Sequence, residues 1–81
     1  MEKLMTVDGL KKGDKLVQVT YAQGVGGVVT EHDRVDLTVV KVNKATIEVD
    51  CAARRYGFRM RKGADLTGRW SYGMKHEYFK A

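Results

Sequence analysis

"VVKVNKATIEVD", residues 39–50, decides the fold. Apolar residues recur at every second position on both sides of a short polar break, which is the period of half-buried strands and not of a helix. A turn at Asn43-Lys44 or at Lys44-Ala45 gives the same facing, with Val40 and Val42 on the side that carries Ile47 and Val49. The second turn also sets Lys41 opposite Glu48, an opposite-charge pair that contributes roughly 0.2–1 kcal/mol. Just upstream, in "RVDLTVVKV" (34–42), Val35, Leu37 and Val39 alternate, and Val40 and Val42 then continue in the opposite phase. Such a slip predicts a bulge or a sharp bend.

The segments on either side read the same way. "LKKGDKLVQVTYA" (10–22) opens at a Gly-Asp turn and enters a strand with Val17, Val19 and Tyr21 on one face and Gln18 and Thr20 on the other. In "QGVGGVV" (23–29), Gly24, Gly26 and Gly27 supply a loop, followed by a strand from about Val28, interrupted near Glu31–Arg34. "CAARRYGFRMRKG" (51–63) places Tyr56, Phe58 and Met60 inward and Arg55, Arg59 and Arg61 outward. "KGADLTGRW" reads as a turn, "RWSYGM" as a short strand, and "KHEYFKA" as a helical turn or a closing strand. The expected architecture is all-β: one domain, residues 1–81, forming a five-stranded barrel, since closure removes exposed edges. Its core would come from Leu16 or Val17, Val19, Tyr21, Val28, Leu37, Val40, Val42, Ile47, Val49, Tyr56, Phe58 and Met60.

Composition bounds the rest. Eighty-one residues make one domain with little material for an enclosed cleft. The apolar fraction of 43% and charged fraction of 31% belong to a globular protein, and no apolar run approaches the ~18 residues of a membrane span. The N-terminal "MEKLMTVDGLKKGDK" lacks the pattern of a secretory signal, so a cytoplasmic location is expected. The lone Cys51 agrees with that, and reads as a small, partly buried apolar residue.

No motif calls for catalysis or a cofactor. "GVGGVV" has Val29 where a dinucleotide fingerprint needs its third glycine, and it lacks the following helix. In "TEHDR", Glu31, His32 and Asp33 alternate in direction along a strand and cannot converge on one metal ion without a special turn; a solvated turn is expected instead. Neither Ser71 nor Cys51 has a nucleophile's surroundings. The chain is therefore read as a non-enzyme without cofactor or metal.

Charge is the sharpest signal. Residues 1–50 carry seven Lys and Arg against eight Asp and Glu, whereas residues 51–81 carry eight against two, so the net +5 arises in the last third. Arg54, Arg55, Arg59, Arg61, Lys62 and Arg69 lie there, and Arg55, Arg59 and Arg61 share one side of a strand, spaced to follow phosphates. Trp70 and Tyr72, flanking Ser71, are the candidate stacking platform. Three readings stay open: a surface for DNA or RNA, a surface for an acidic bacterial protein, or a solvated outer face with Trp70 or Tyr72 in the core.

"LKKGDKLVQVTYAQGVGGVV" resembles the opening of KOW-type, SH3-like barrels of ribosomal and transcription-associated proteins, with the Lys11–Asp14 turn, a Val-rich strand and a glycine-containing loop. "VVKVNKATIEVD" followed by "RRYGFRMRKGADLTGRW" also resembles small barrel proteins of bacteriophages. The first resemblance implies an SH3-like barrel. The second implies an accessory protein acting in a host bacterium's cytoplasm, by binding host nucleic acid or by binding and inhibiting a host enzyme that handles it.

Overall fold

Turn chemistry at Lys11–Asp14 sets the first long strand. Gly13, at φ 94°, takes the left-handed position, while the Lys11 carbonyl accepts from the Asp14 N–H at 3.0 Å and the Asp14 carboxylate accepts from the Lys11 N–H at 2.9 Å. The computed structural model describes residues 2–81 and contains six strands: β1 Glu2–Leu4, β2 Lys15–Gln23, β3 Val29–Val42, β4 Thr46–Cys51, β5 Tyr56–Arg61 and β6 Met74–Lys80. They form one antiparallel sheet in the order β1-β6-β2-β3-β4-β5. The expected five strands are thus six, and the edge strands β1 and β5 do not pair, so the sheet is not closed. At three residues, β1 is too short to show a period, and it exists because β6 supplies its partner. Of the two readings of the terminal segment, the strand is the one formed. Among the described residues, no helix is long and apolar enough to cross a membrane.

The hairpin that opened the sequence reading adopts the Lys44-Ala45 register. Lys41 lies opposite Glu48 and Val42 opposite Ile47, and the Asn43 N–H donates to the Thr46 carbonyl at 2.8 Å across the turn. The phase slip is a bulge: Val39 pairs with Val49 and Lys41 with Glu48, leaving Val40 as the extra residue. A second bulge lies in the same strand. Thr20 pairs with Asp33 and Tyr21 with Glu31, so His32 is the extra residue, and the polar turn expected at Glu31–Arg34 is continuous strand.

The core gathers Leu16, Leu37, Val39, Ile47, Val49, Cys51 and Met60 from the strands with Val7 and Leu10 from the turn before β2. Leu16 sits directly opposite Leu37, which fixes this as the inner face of β2. Val17 and Val19 are also buried, but by strand alternation they lie on the opposite side, beside Phe79 and Glu77. There the segment leading into β6 packs closely: a Cβ on Gly68 would stand 3.2 Å from Glu77 Cγ and 3.4 Å from the His76 carbonyl. The expected face of β2 is therefore corrected. A strand sandwiched on both sides shows two apolar faces, and alternation alone does not say which meets the main core.

Four other expected core residues are substantially exposed: Val28 (60%), Val40 (44%), Val42 (41%) and Tyr56 (49%). Val28 precedes β3, Val40 is the bulged residue and Val42 borders the turn, so each lies where the sheet no longer covers it.

Candidate nucleic-acid interface

The basic residues of the last third do not gather on a single face. Among the described residues, strand β5 pairs only with β4, and the Lys62 N–H donates to the Ala45 carbonyl at 2.8 Å. Continuing that register turns the peptide groups of Tyr56, Phe58 and Met60 toward β4 and those of Gly57, Arg59 and Arg61 toward the open edge. Side chains alternate independently. Met60 is buried and Phe58 half-buried, opposite Ile47 and Val49, while Arg59 and Arg61 project outward about 6.6 Å apart along the strand. Arg59 Nε lies 3.9 Å from Glu48, whose carboxyl is held below its ordinary range first by the Asn43 amide and then by Arg59 and Lys41. Among the described residues, Arg55, Arg61 and Lys62 take part in no ion pair. Arg59 and Arg61 thus form an outward cationic row on the edge strand, with Arg55 just before it and Lys62, which alternation sets on the Met60 side, just after it.

A short 3₁₀ turn over Ala52–Arg54 separates Arg54 from that edge. It ends at Arg55, whose left-handed backbone, φ 56°, reverses the chain, and Arg54 turns back to pair with Asp33 of β3. Arg69, Trp70 and Tyr72 stand on the segment before β6. Arg69 is highly exposed, 3.8 Å from Asp65, and the Lys75 ammonium lies between two rings, 5.1 Å from the centroid of Trp70 and 5.4 Å from that of Tyr21. Ser71 and Met74 exchange both backbone hydrogen bonds around Tyr72-Gly73, which have φ of 52° and 75°. That is a tight hairpin turn, not the short strand expected, and it leaves Tyr72 fully exposed at its tip. Trp70 and Tyr72 therefore do not share a strand face.

Inside the curve of the sheet lies a hollow of about 320 Å³ lined by Gln18, Thr20, His32, Asp33, Arg54, Tyr56, Met74 and His76. It continues the inner face beyond Leu16 and Leu37, and its walls are tied together by hydrogen bonds. The Gln18 amide donates to the Tyr78 hydroxyl at 2.8 Å, and the Thr20 hydroxyl meets His76 Nδ1 at 2.8 Å. Asp33 takes Arg54 on one oxygen and the Arg34 N–H on the other at 2.8 Å. Burial pushes the Tyr78 phenol up, partly offset by Gln18. The bulge is what lets consecutive residues His32 and Asp33 face the same hollow. No group of three or more metal-ligating side chains forms among the described residues.

Of the residues lining this hollow, the sequence reading carried only Arg54 as a binding residue; it placed His32 and Asp33 in a solvated turn and Tyr56 in the core. The hollow's legible signal was Gln18 and Thr20, in phase with Leu16 on the inner face of β2. No protein family, curated protein or solved structure matches the chain.

Proposed function

We propose that the protein binds nucleic acid, chiefly through phosphates, along the cationic edge of β5. The observation that carries this reading is that Arg59 and Arg61 stand in line on the outer side of an edge strand, with Arg55 just before it and Lys62 just after it, and that among the described residues Arg55, Arg61 and Lys62 have no carboxylate partner. Folding alone gives no reason for unpaired arginines there, whereas phosphates accept from their planar forks. Arg69 and the exposed Tyr72 lie on a separate segment and would extend the contact rather than form its centre. The reading of the fold as an open relative of SH3-like barrels is supported by the successive hairpins from β2 to β5, with β6 returning beside β2.

Anisotropy titrations with labelled DNA and RNA test the proposal. With about four phosphates engaged, log affinity should fall against log salt with a slope of about −3. Replacing Arg59 and Arg61 by Ala should weaken binding to all sequences and reduce that slope by about 2. Affinity unchanged between about 50 and about 200 mM salt would overturn the reading.

One observation favours a second reading. The outward peptide groups of Gly57 and Arg59, beside outward arginines, also suit an added strand from an acidic protein. A discrete partner retained from nuclease-treated bacterial lysate, and lost on Arg59→Pro, which removes an outward N–H donor while leaving the β4 ladder bonds in place, would support it.

A further inference from the structure

We infer that the polar hollow receives one nucleobase of a single strand whose phosphates follow β5; this rests on the nucleic-acid reading above. Strand periodicity directs Gln18, Thr20 and Asp33 to the same side as Leu16 and Leu37, where a sheet built only for stability would carry apolar residues. Each of those polar groups is held by a residue of another element, Gln18 by Tyr78, Thr20 by His76 and Asp33 by Arg54, so the hollow is a fixed wall rather than a frayed end of the core.

Its remaining chemistry suits a heterocycle. After the Gln18 amide N–H is spent on Tyr78, the Gln18 carbonyl oxygen stays free to accept, and Arg54 keeps donors beyond the one given to Asp33. The rings of His32 and Tyr56 make no hydrogen bond among the described residues. Tyr56, half-exposed, has its ring centroid 6.3 Å from that of Phe58, and Met74 supplies a second apolar contact. Mixed donors and acceptors beside an aromatic face match the edges and face of an unstacked base. A purely anionic ligand would leave the Tyr56 face unused. The hollow and the basic row also meet within three consecutive residues: Arg54 and Tyr56 line the hollow, and Arg55 lies between them in the chain. The volume admits one base and no paired duplex step.

Labelled single-stranded oligonucleotides, the matching duplex and free mononucleotides should be titrated against the protein and against Tyr56→Leu and His32→Ala. Single strands should bind at least about tenfold more tightly than duplex, and both variants should bring that ratio toward one. His32 is exposed and makes no side-chain hydrogen bond among the described residues, so His32→Ala serves even where Tyr56→Leu disturbs folding, as thermal unfolding will show. Equal affinity for single strand and duplex, untouched by either variant, would overturn the hollow as a base site and leave the phosphate edge standing. Free mononucleotide binding as tightly as the oligonucleotide would overturn presentation by a strand. Binding to none of these would overturn the nucleic-acid reading itself.

Discussion

The inner face of the sheet has two ends that share strands and differ in everything else. At one end Leu16, Leu37, Val39, Ile47 and Val49 close over one another and exclude water; at the other, Gln18, Thr20, His32, Asp33 and His76 line an open hollow. The same two strands, β2 and β3, run through both ends, with the bulge at His32 falling at the polar one. What separates them is the side-chain inventory, and with it the job each end can do. The apolar end supplies the free energy of folding, roughly 25 cal/mol per Å² of apolar surface buried. The polar end contributes little of that and keeps groups available to a ligand.

This contrast can be broken by exchanging the chemistry of the two ends. Ile47→Thr places an unpartnered hydroxyl in a fully buried site and should cost about 3 kcal/mol in denaturant unfolding. Next in size is Gly57→Ala, where the new Cβ would stand 2.8 Å from the Val49 carbonyl oxygen; a rigid backbone neighbour cannot yield, so a loss of about 1–3 kcal/mol is expected. The reciprocal change at the polar end, Thr20→Val, removes only the hydroxyl shared with His76 and should alter stability by no more than about 1 kcal/mol. A cost for Thr20→Val equal to that of Ile47→Thr would show that the hollow is structural core after all.

A smaller effect sharpens the same comparison through pH. Burial at Glu77 tends to raise its carboxyl, but hydrogen bonds and charge from Lys3 and Lys75, each 3.1 Å away, bring it below its ordinary value of 4.5. The folded state therefore binds the proton less readily than the unfolded chain. Its contribution is whole above 4.5 and is lost as the pH falls through the folded-state value. Acid unfolding of Glu77→Gln should be less steep in that window than that of the parent, because the variant has no proton to take up there.

The legible part of the fold is tied to local signals. The hairpin was narrowed to two registers, of which the Lys41–Glu48 pair slightly favoured the one formed; a bulge or bend followed from the phase change at Val40, and the turn at Lys11–Asp14 from its Gly-Asp pair. Val7 and Leu10 gave no such signal, because they reach the core from an irregular segment without a period. The candidate site divided in the same way. Arg59 and Arg61 were readable as an outward row, since alternation with Phe58 and Met60 fixes their side. Arg54 was not separable from them in sequence, because its direction depends on the left-handed residue Arg55 and on Asp33, distant in the chain.

"VVKVNKATIEVD" and its neighbours by themselves determined the all-β class, the longer strands and the position of surplus charge, and narrowed the central turn to two registers, because period, turn propensity and charge are properties of contiguous residues. Tertiary structure alone decided which face of β2 met the main core, that the sheet stayed open at β1 and β5, and that His32, Asp33, Arg54 and Tyr56 surround one hollow. Each of those depends on where separate strands pass one another, which no single stretch of chain encodes.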